Sequence, residues 1–367
     1  MREFVDGATA IVRGALDAGC TFFGGYPITP ASGILMQMMS ELPKAGGIAV
    51  QGEDEIASIG MCIGATLAGA RAMTATSGPG ISLYSENIGL AVMGEVPLVI
   101  VDVQRLGPAT GGATTVAQGD VQFVRWGTSG GYPIVALAPS TVAEAYRLTV
   151  DAFALAERFR CPVFVLTDKE LVMSLTTVDA GAFTPPPVPD RVVAEDGEPY
   201  RYRPAAETFP LHEYGRGRTV RFTGSTHDER ALITKHAPTI DALNRHLVAK
   251  IEEHREEIER VDLDADPGAT TLIVGYGITG GAVRAAVTRA RTSGSSLSGM
   301  VIHSLWPVPE TALAKALVGV GRVIVPELNP GLYRREIERV AGDREIIGIE
   351  RIDGDLITPE QILEAAR

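Results

Sequence analysis

Three acidic residues, Glu53, Asp54 and Glu55, precede a run of small residues that extends to about residue 72. The run is typical of a helix, and a carboxylate at a helix start lies where the dipole and free amides stabilise its ionised form. Each glycine destabilises a helix by about 1 kcal/mol relative to alanine, so several indicate close approach by another backbone or a ligand. We predict that Glu55 is the functional carboxylate of a cofactor site. On this stretch alone, an equally good interpretation is that the three residues are ordinary acids in the first turn of a helix.

An arginine and a threonine form a second candidate pair. Arg105 follows an apolar segment and precedes a glycine-rich loop, a position suited to bidentate binding of a carboxylate or phosphate. Thr29 is predicted to cap a helix that begins at the following proline, and a helix N-terminus is also an anion site. Both residues are expected at one sheet edge, where they would bind one carboxylate together. The alternatives are simple capping by Thr29 and a structural salt bridge of Arg105 with Asp102 or Asp120.

A glycine pattern over residues 275–280 matches the dinucleotide-binding fingerprint after a strand. The acidic residue expected roughly 20 positions later is missing, because the next strand ends at His303 and Ser304. We therefore interpret the pattern as a tight strand-to-helix turn without a nucleotide. His227 is predicted to order its surface segment rather than to perform chemistry.

The elements that position these residues alternate between strand and helix. Predicted strands are 47–51, 71–76, 97–103 and 162–167, and predicted helices are 55–70, 81–92 and 141–158. This alternation predicts an α/β fold whose parallel sheet is covered on both faces. Ligands of such sheets bind outside the carboxyl ends of the strands, and the candidate residues are all expected at that edge.

The length of 367 residues predicts two domains rather than one core. The first is expected over 1–182 and the second over 266–367. Between them, 183–265 contains a proline-rich linker and a charged helix, which we expect to be solvated over most of its surface.

Composition excludes several classes of partner. The net charge of −12 argues against nucleic acid and against an anionic membrane surface. The start of the chain leads into an amphipathic helix rather than an apolar core, and no apolar run is long enough to cross a bilayer. Cys20, Cys62 and Cys161 are too widely spaced for a cluster motif or a disulfide framework. The expected location is therefore the reducing cytoplasm.

The motifs together resemble the alpha subunit of 2-oxoacid:ferredoxin oxidoreductases, most closely the 2-oxoglutarate:ferredoxin branch. The match spans essentially the whole chain. The motifs that carry it are Tyr26-Pro27-Ile28-Thr29-Pro30, Glu53-x-Glu55, Ala75-Thr76-Ser77-Gly78-Pro79-Gly80, Gln104-Arg105-x-Gly107-Pro108, Gln118-Gly119-Asp120-Val121, Gly224-x-x-His227-x-Glu229, Leu305-Trp306-Pro307-Val308-Pro309 and Glu327-x-Asn329.

The resemblance implies a thiamine diphosphate enzyme with a pyrimidine-binding domain and a smaller domain like the transketolase C-terminal domain. Glu55 matches the glutamate that hydrogen-bonds the pyrimidine N1′, and Thr29 and Arg105 match residues that hold the carboxylate of the 2-oxoacid. These three are the implied catalytic residues. The residues implied to bind the cofactor are Tyr26, Pro27, Glu55, Ser77 and Gly78.

The implied reaction is oxidative decarboxylation of a 2-oxoacid, with 2-oxoglutarate favoured, to acyl-CoA and CO2 with reduction of ferredoxin. The chain has no motif for a magnesium diphosphate and no cysteine set for a cluster. The resemblance therefore places Mg2+ and a 4Fe-4S cluster in a beta subunit, in an (alpha-beta)2 heterotetramer, with no metal held by this chain. A non-oxidative thiamine diphosphate decarboxylase or synthase is the alternative, and a non-catalytic subunit and a nicotinamide dehydrogenase are weaker ones.

Overall fold

The structure is a computed structural model that describes residues 1–195, 208, 210–217 and 219–367. The strands in these ranges are β1 (Arg2–Val5), β2 (Phe22–Gly25), β3 (Ile48–Gln51), β4 (Ala72–Thr76), β5 (Leu98–Gln104), β6 (Val135–Leu137), β7 (Pro162–Asp168), β8 (Thr176–Asp179), β9 (Val261–Asp264), β10 (Thr271–Tyr276), β11 (Ser298–Ile302), β12 (Ser304–Trp306), β13 (Arg322–Glu327) and β14 (Glu345–Glu350). The α-helices are α1 (Gly7–Asp17), α2 (Ser32–Glu41), α3 (Glu55–Leu67), α4 (Gly78–Leu83), α5 (Ser85–Met93), α6 (Val121–Trp126), α7 (Val142–Phe159), α8 (Lys169–Met173), α9 (Ala237–Glu252), α10 (Arg255–Ile258), α11 (Thr279–Thr292), α12 (Glu310–Ala316), α13 (Arg334–Ala341) and α14 (Pro359–Ala365).

The larger sheet has seven strands in the order β12-β6-β7-β5-β4-β2-β3. All neighbouring strands in it are parallel except β12, which is antiparallel to β6. Every residue of β4, β5 and β7 is buried, as expected for central strands covered on both faces. Helices α1, α2 and α7 pack on one face, and α3 and α5 pack on the other. The predicted α/β architecture is confirmed.

The second sheet has five strands in the order β14-β13-β10-β11-β9. Its strands are parallel except β9, which pairs with β11 in the antiparallel sense. The strand that the sequence placed before His303 and Ser304 is observed as β11, and β12 follows almost at once but pairs with β6 of the larger sheet. That pairing was not predicted, because three residues carry no periodicity that would reveal their distant partner.

Two predicted helix starts are wrong. Residues 2–5 form β1, paired with β8, and α1 begins only at Gly7, where the Asp6 carboxylate accepts from the Thr9 amide at 2.8 Å. Thr29 does not cap a helix, because residues 29–31 form a turn and α2 begins after it. The Thr29–Pro30 peptide bond is cis.

The connection between the two sheets differs from expectation in its helix. The predicted linker lies partly outside the described residues. The helix that follows it, α9, is exposed or half-buried over most of its length, but it has one buried face, formed by Leu243, His246, Leu247, Lys250 and Ile251. The sequence did not reveal this buried face, because two of its residues, His246 and Lys250, are basic and suggested an exposed surface.

A buried ion cluster holds α9 against the larger sheet. The Glu95 carboxylate hydrogen-bonds His246 Nε2 at 2.5 Å and lies 3.5 Å from the Lys250 ammonium, which donates to the Arg160 carbonyl. Burial alone raises the pKa of Glu95, but Lys250, His246 and Arg160 outweigh it and lower that pKa to about 2. Glu95 therefore ionises more readily in the folded chain than in the unfolded one.

Replacement of Glu95 by glutamine should lower the free energy of unfolding at pH 7 by about 3–5 kcal/mol, because the buried basic groups around it lose their counter-charge. The folded pKa is depressed, so the contribution is present above about pH 4.5 and lost as the pH falls toward 2. Urea denaturation across this range measures the effect. The matched control is Glu253→Gln at the exposed end of α9, and an equal loss in both variants would contradict the assignment.

Candidate active site

The carboxyl ends of β2, β4 and β5 meet at one edge of the larger sheet. Thr76 of β4 lies in register with Asp102 of β5, and α3 begins beside them at Glu55. The Asp54 carboxylate caps α3 by accepting from the Ala57 amide at 2.7 Å. Glu53 and Asp54 are exposed, whereas Glu55 is only 7% exposed. The three acids therefore have different roles, and only Glu55 is turned into the fold.

A glycine turn packs directly against the Glu55 side chain. The turn starts α4 and contains Ser77, Gly78 and Gly80. A Cβ at Gly80 would lie 2.9 Å from Glu55 Cγ and 3.0 Å from its Oε1, and would also overlap Thr76 Oγ1. Only glycine permits this approach, so the turn fixes the position of the carboxylate. The glycines that follow Glu55 in α3 make no comparable close approach to its carboxylate.

Thr29 and Arg105 lie together, as predicted from their position at the sheet edge. The Arg105 Nη1 group donates to the Thr29 backbone carbonyl. Arg105 is 7% exposed, its Nε atom has no hydrogen-bond partner, and within the described ranges it makes no ion pair. The Thr29 side chain is exposed. The pair thus presents a cation whose donors are only partly used.

The remaining predicted cofactor-binding residues flank these two groups. Tyr26 is half-buried and Pro27 is exposed, both in the segment that leaves β2. Ser77 is fully buried and Gly78 half-buried at the start of α4. Arg105 contacts Thr29, and Glu55 contacts the α4 turn. Both contacts lie at the carboxyl ends of neighbouring strands.

Several buried oxygens at this edge have no hydrogen-bond partner in the part of the chain that the structure describes. Leaving such a group unpaired costs about 1–3 kcal/mol, so a cluster of them indicates a place where a ligand or partner completes the bonding. Sequence reasoning did not find this feature, because it depends on which atoms are left over after folding. The atoms are Thr76 Oγ1, Ser77 Oγ, both carboxyl oxygens of Asp102, Asp120 Oδ2 and Thr167 Oγ1.

The carboxyl edge of the second sheet is already occupied by a side chain. Gln118 donates from Nε2 to the Tyr276 carbonyl at 3.1 Å and accepts at Oε1 from the Leu328 amide at 3.1 Å. A Cβ at Gly277 would lie 2.5 Å from that Nε2 atom. The glycine pattern over 275–280 therefore forms a tight turn around Gln118, where a bound pyrophosphate would have to lie.

One group of side chains has the composition of a metal site. Ligand atoms of Glu144, Asp262 and His303 lie within 4.8 Å of one another. Arg284 Nη2 donates to both carboxylates, at 2.8 and 2.9 Å. This cation already balances their charge, so the group is a salt-bridge network between α7, β9 and α11.

Among the described residues, nothing packs against one face of α3. Ile56, Gly60, Gly64 and Ala68 are exposed along it. Outside the helix itself, no described atom lies within 4 Å of a Cβ placed at either glycine.

Within the described ranges, no helix is long and apolar enough to cross a membrane.

Comparison with known proteins identifies the family of the chain. A family model described as pyruvate flavodoxin/ferredoxin oxidoreductase, thiamine diphosphate-binding, matches residues 13–245, and one for pyruvate:ferredoxin oxidoreductase core domain II matches 269–362. The 2-oxoglutarate synthase subunit KorA of Methanocaldococcus jannaschii is 41% identical over 99% of this chain and 98% of its own. Ketoisovalerate oxidoreductase subunit VorB of Methanothermobacter thermautotrophicus is 35% identical over 100% of this chain and 97% of its own.

Solved structures agree with these sequence relatives. The 2-oxoglutarate:ferredoxin oxidoreductase of Magnetococcus marinus, with 2-oxoglutarate, coenzyme A and succinyl-CoA bound, matches with a TM-score of 0.93 and 32% identity. It covers all of this chain, which spans 64% of the solved one. A split-gene transketolase at 12% identity and a TM-score of 0.54 shares the fold alone. The chain thus belongs to the pyruvate flavodoxin/ferredoxin oxidoreductase family, as its resemblance to the 2-oxoacid:ferredoxin oxidoreductases predicted.

Proposed function

We propose that this chain is the alpha subunit of a thiamine diphosphate-dependent 2-oxoacid:ferredoxin oxidoreductase that acts on 2-oxoglutarate. The 2-oxoacid is decarboxylated, its acyl group passes to coenzyme A, and the released electron pair reduces ferredoxin. The observation that carries the proposal is the buried Glu55 carboxylate beside unpaired oxygens at the sheet edge. Full-length similarity to KorA subunits supports the choice of substrate.

The residues at the sheet edge fit the aminopyrimidine end of thiamine diphosphate. A ring that carries both donors and acceptors suits the Glu55 carboxylate together with the unpaired Thr76 and Ser77 hydroxyls. When bound, the cofactor supplies the nucleophilic carbon that decarboxylation of a 2-oxoacid requires. Glu55 would hold the proton at the pyrimidine N1′ atom. Its burial places that contact in a low-dielectric environment, where it is strong.

Arg105 and Thr29 would orient the substrate. One guanidinium amino group is tied to the Thr29 carbonyl, which fixes the plane of the guanidinium while Nε remains available. A planar fork held in this way suits the carboxylate of a 2-oxoacid, and the exposed Thr29 side chain is adjacent.

A beta subunit would supply the cluster and the magnesium site. The three cysteines of this chain are buried and free, and burial raises the pKa of Cys20 to about 12 and that of Cys161 to about 11. Buried thiols with raised pKa values support the placement of the cluster in another subunit. The exposed face of α3, beside Glu55, is where the second polypeptide would pack in an (alpha-beta)2 assembly.

Coexpression with the partner subunits, followed by an anoxic assay of ferredoxin reduction with 2-oxoglutarate and coenzyme A, tests the proposed activity. Turnover should require all three substrates and the complex should be coloured by its cluster. An active but colourless complex would instead indicate the non-oxidative decarboxylase.

Replacement of Glu55 by glutamine should lower kcat about 10²–10⁴-fold, because the amide cannot hold the N1′ proton as a carboxylate does. The measurement is ferredoxin reduction by the holoenzyme. Glu53→Gln, an exposed change in the same segment, is the matched control. Undiminished turnover in Glu55→Gln would remove the central assignment.

Replacement of Arg105 by lysine should raise KM for the 2-oxoacid by about 10–100-fold, because an ammonium group cannot reproduce the planar fork. The exposed Arg147→Lys on α7 serves as the control. Equal KM values for the two variants would show that Arg105 does not bind the substrate carboxylate.

Replacement of Gly60 by leucine should prevent assembly with the partner subunit while the alpha chain still folds, because the new side chain points into open space within this chain. Copurification and circular dichroism report the two outcomes. Gly281→Leu on α11, equally open, should assemble normally. A Gly60→Leu complex of full yield would place the partner elsewhere.

A further inference from the structure

Two carboxyl groups lie within hydrogen-bonding reach of each other beneath the candidate site. Asp102 is on β5 and Asp120 immediately precedes α6. Asp102 is 0% exposed, and neither of its oxygens has a donor among the described residues. Asp120 Oδ2 also lacks a donor. Two carboxylates can hydrogen-bond only through a proton held between them.

Their placement follows from the two sheets. Asp102 shares the β5 face of Leu98 and Ile100, which is covered by α3 and α5. The Asp120 amide donates to Gln104 Oε1 at 3.1 Å, and two residues earlier Gln118 is held by the second sheet through Leu328. The second half of the chain thus sets the position of Asp120.

The charge around the pair is small and well defined. Arg105, at the end of β5, is the cation that acts on Asp120. The other ionisable groups on elements beside this face are Glu55 and Cys62 on α3, Tyr84 after α4, the exposed Glu86 on α5, Arg125 on α6 and Asp168 at the end of β7. Helices α7 and α8 cover the opposite face.

Burial, and next the neighbouring Asp120, raise the pKa of Asp102 well above its ordinary value. Burial also raises the pKa of Asp120, to about 6, although Asp102 and Arg105 act to lower it. Both shifts favour a pair that keeps one proton and carries one negative charge. The second negative charge develops only above the ordinary range of an aspartate.

We propose that Asp102 and Asp120 share one proton, and that this proton keeps a second negative charge away from Arg105 so that the guanidinium can bind the 2-oxoacid carboxylate. The inference rests on the proposed function of Arg105. Both aspartates act through Arg105 and are positioning residues. Loss of the proton places like charge beside the substrate carboxylate in a buried site, where repulsion is strong.

The first test is the pH dependence of steady-state kinetics of the holoenzyme. For the natural sequence, KM for 2-oxoglutarate should rise about tenfold on the alkaline side, with a much smaller change in kcat. Asp102→Asn keeps the shape and donates an N–H to Asp120 but cannot ionise, so its KM should stay flat. The exposed Asp241→Asn on α9 should behave as the natural sequence. An alkaline rise retained in Asp102→Asn would overturn the proposal.

The second test does not depend on turnover. Infrared spectroscopy of the complex at neutral pD should show the carbonyl band of a protonated carboxyl that Asp102→Asn removes and Asp241→Asn retains. A band unchanged by Asp102→Asn would overturn the shared proton. A band that disappears as expected, in a complex without 2-oxoacid turnover, would support the shared proton and refute the proposed function. If Asp102→Asn does not fold, Asp120→Asn should give the same flat KM, because the second negative charge cannot develop, and an alkaline rise retained in it would overturn the proposal.

Discussion

The close approach of Gly80 to the Glu55 side chain is the constraint on which the site depends. A carboxylate that is nearly excluded from water needs a rigid position if it is to address one atom of a ligand. Here the start of α3 holds the backbone of Glu55, and the α4 turn packs against its side chain because Gly80 has no Cβ. Thr76 and Ser77, whose hydroxyl oxygens have no partner among the described residues, adjoin the same turn and belong to the proposed binding surface.

The second half of the chain contributes to this site from a distance. In an open α/β sheet the carboxyl edge is where ligands bind, yet the edge of the second sheet is filled by Gln118. The same segment continues to Asp120, beside Arg105. What would be a binding crevice in an isolated domain therefore serves here to fix a loop of the neighbouring domain.

The sequence predicted those features that are local or periodic. Alternating strand and helix gave the parallel sheet, and position at the strand ends gave the proximity of Thr29 and Arg105. Predictions missed features that a distant contact decides: β1 forms because β8 is beside it, and one face of α9 is buried because Glu95 neutralises its basic residues. The Asp102 and Asp120 pair was considered only as a partner for Arg105, since proximity of two like charges cannot be read from spacing.

The strand β12 has a mechanical consequence. It lies far along the chain, after the first strands of the second sheet, yet it forms the outermost strand of the larger sheet against β6. A hinge motion that separated the two halves would have to break this ladder first. This strand pairing therefore holds the two halves together independently of the chain segment that links them. A single proteolytic cut in that segment would leave two fragments that remain associated.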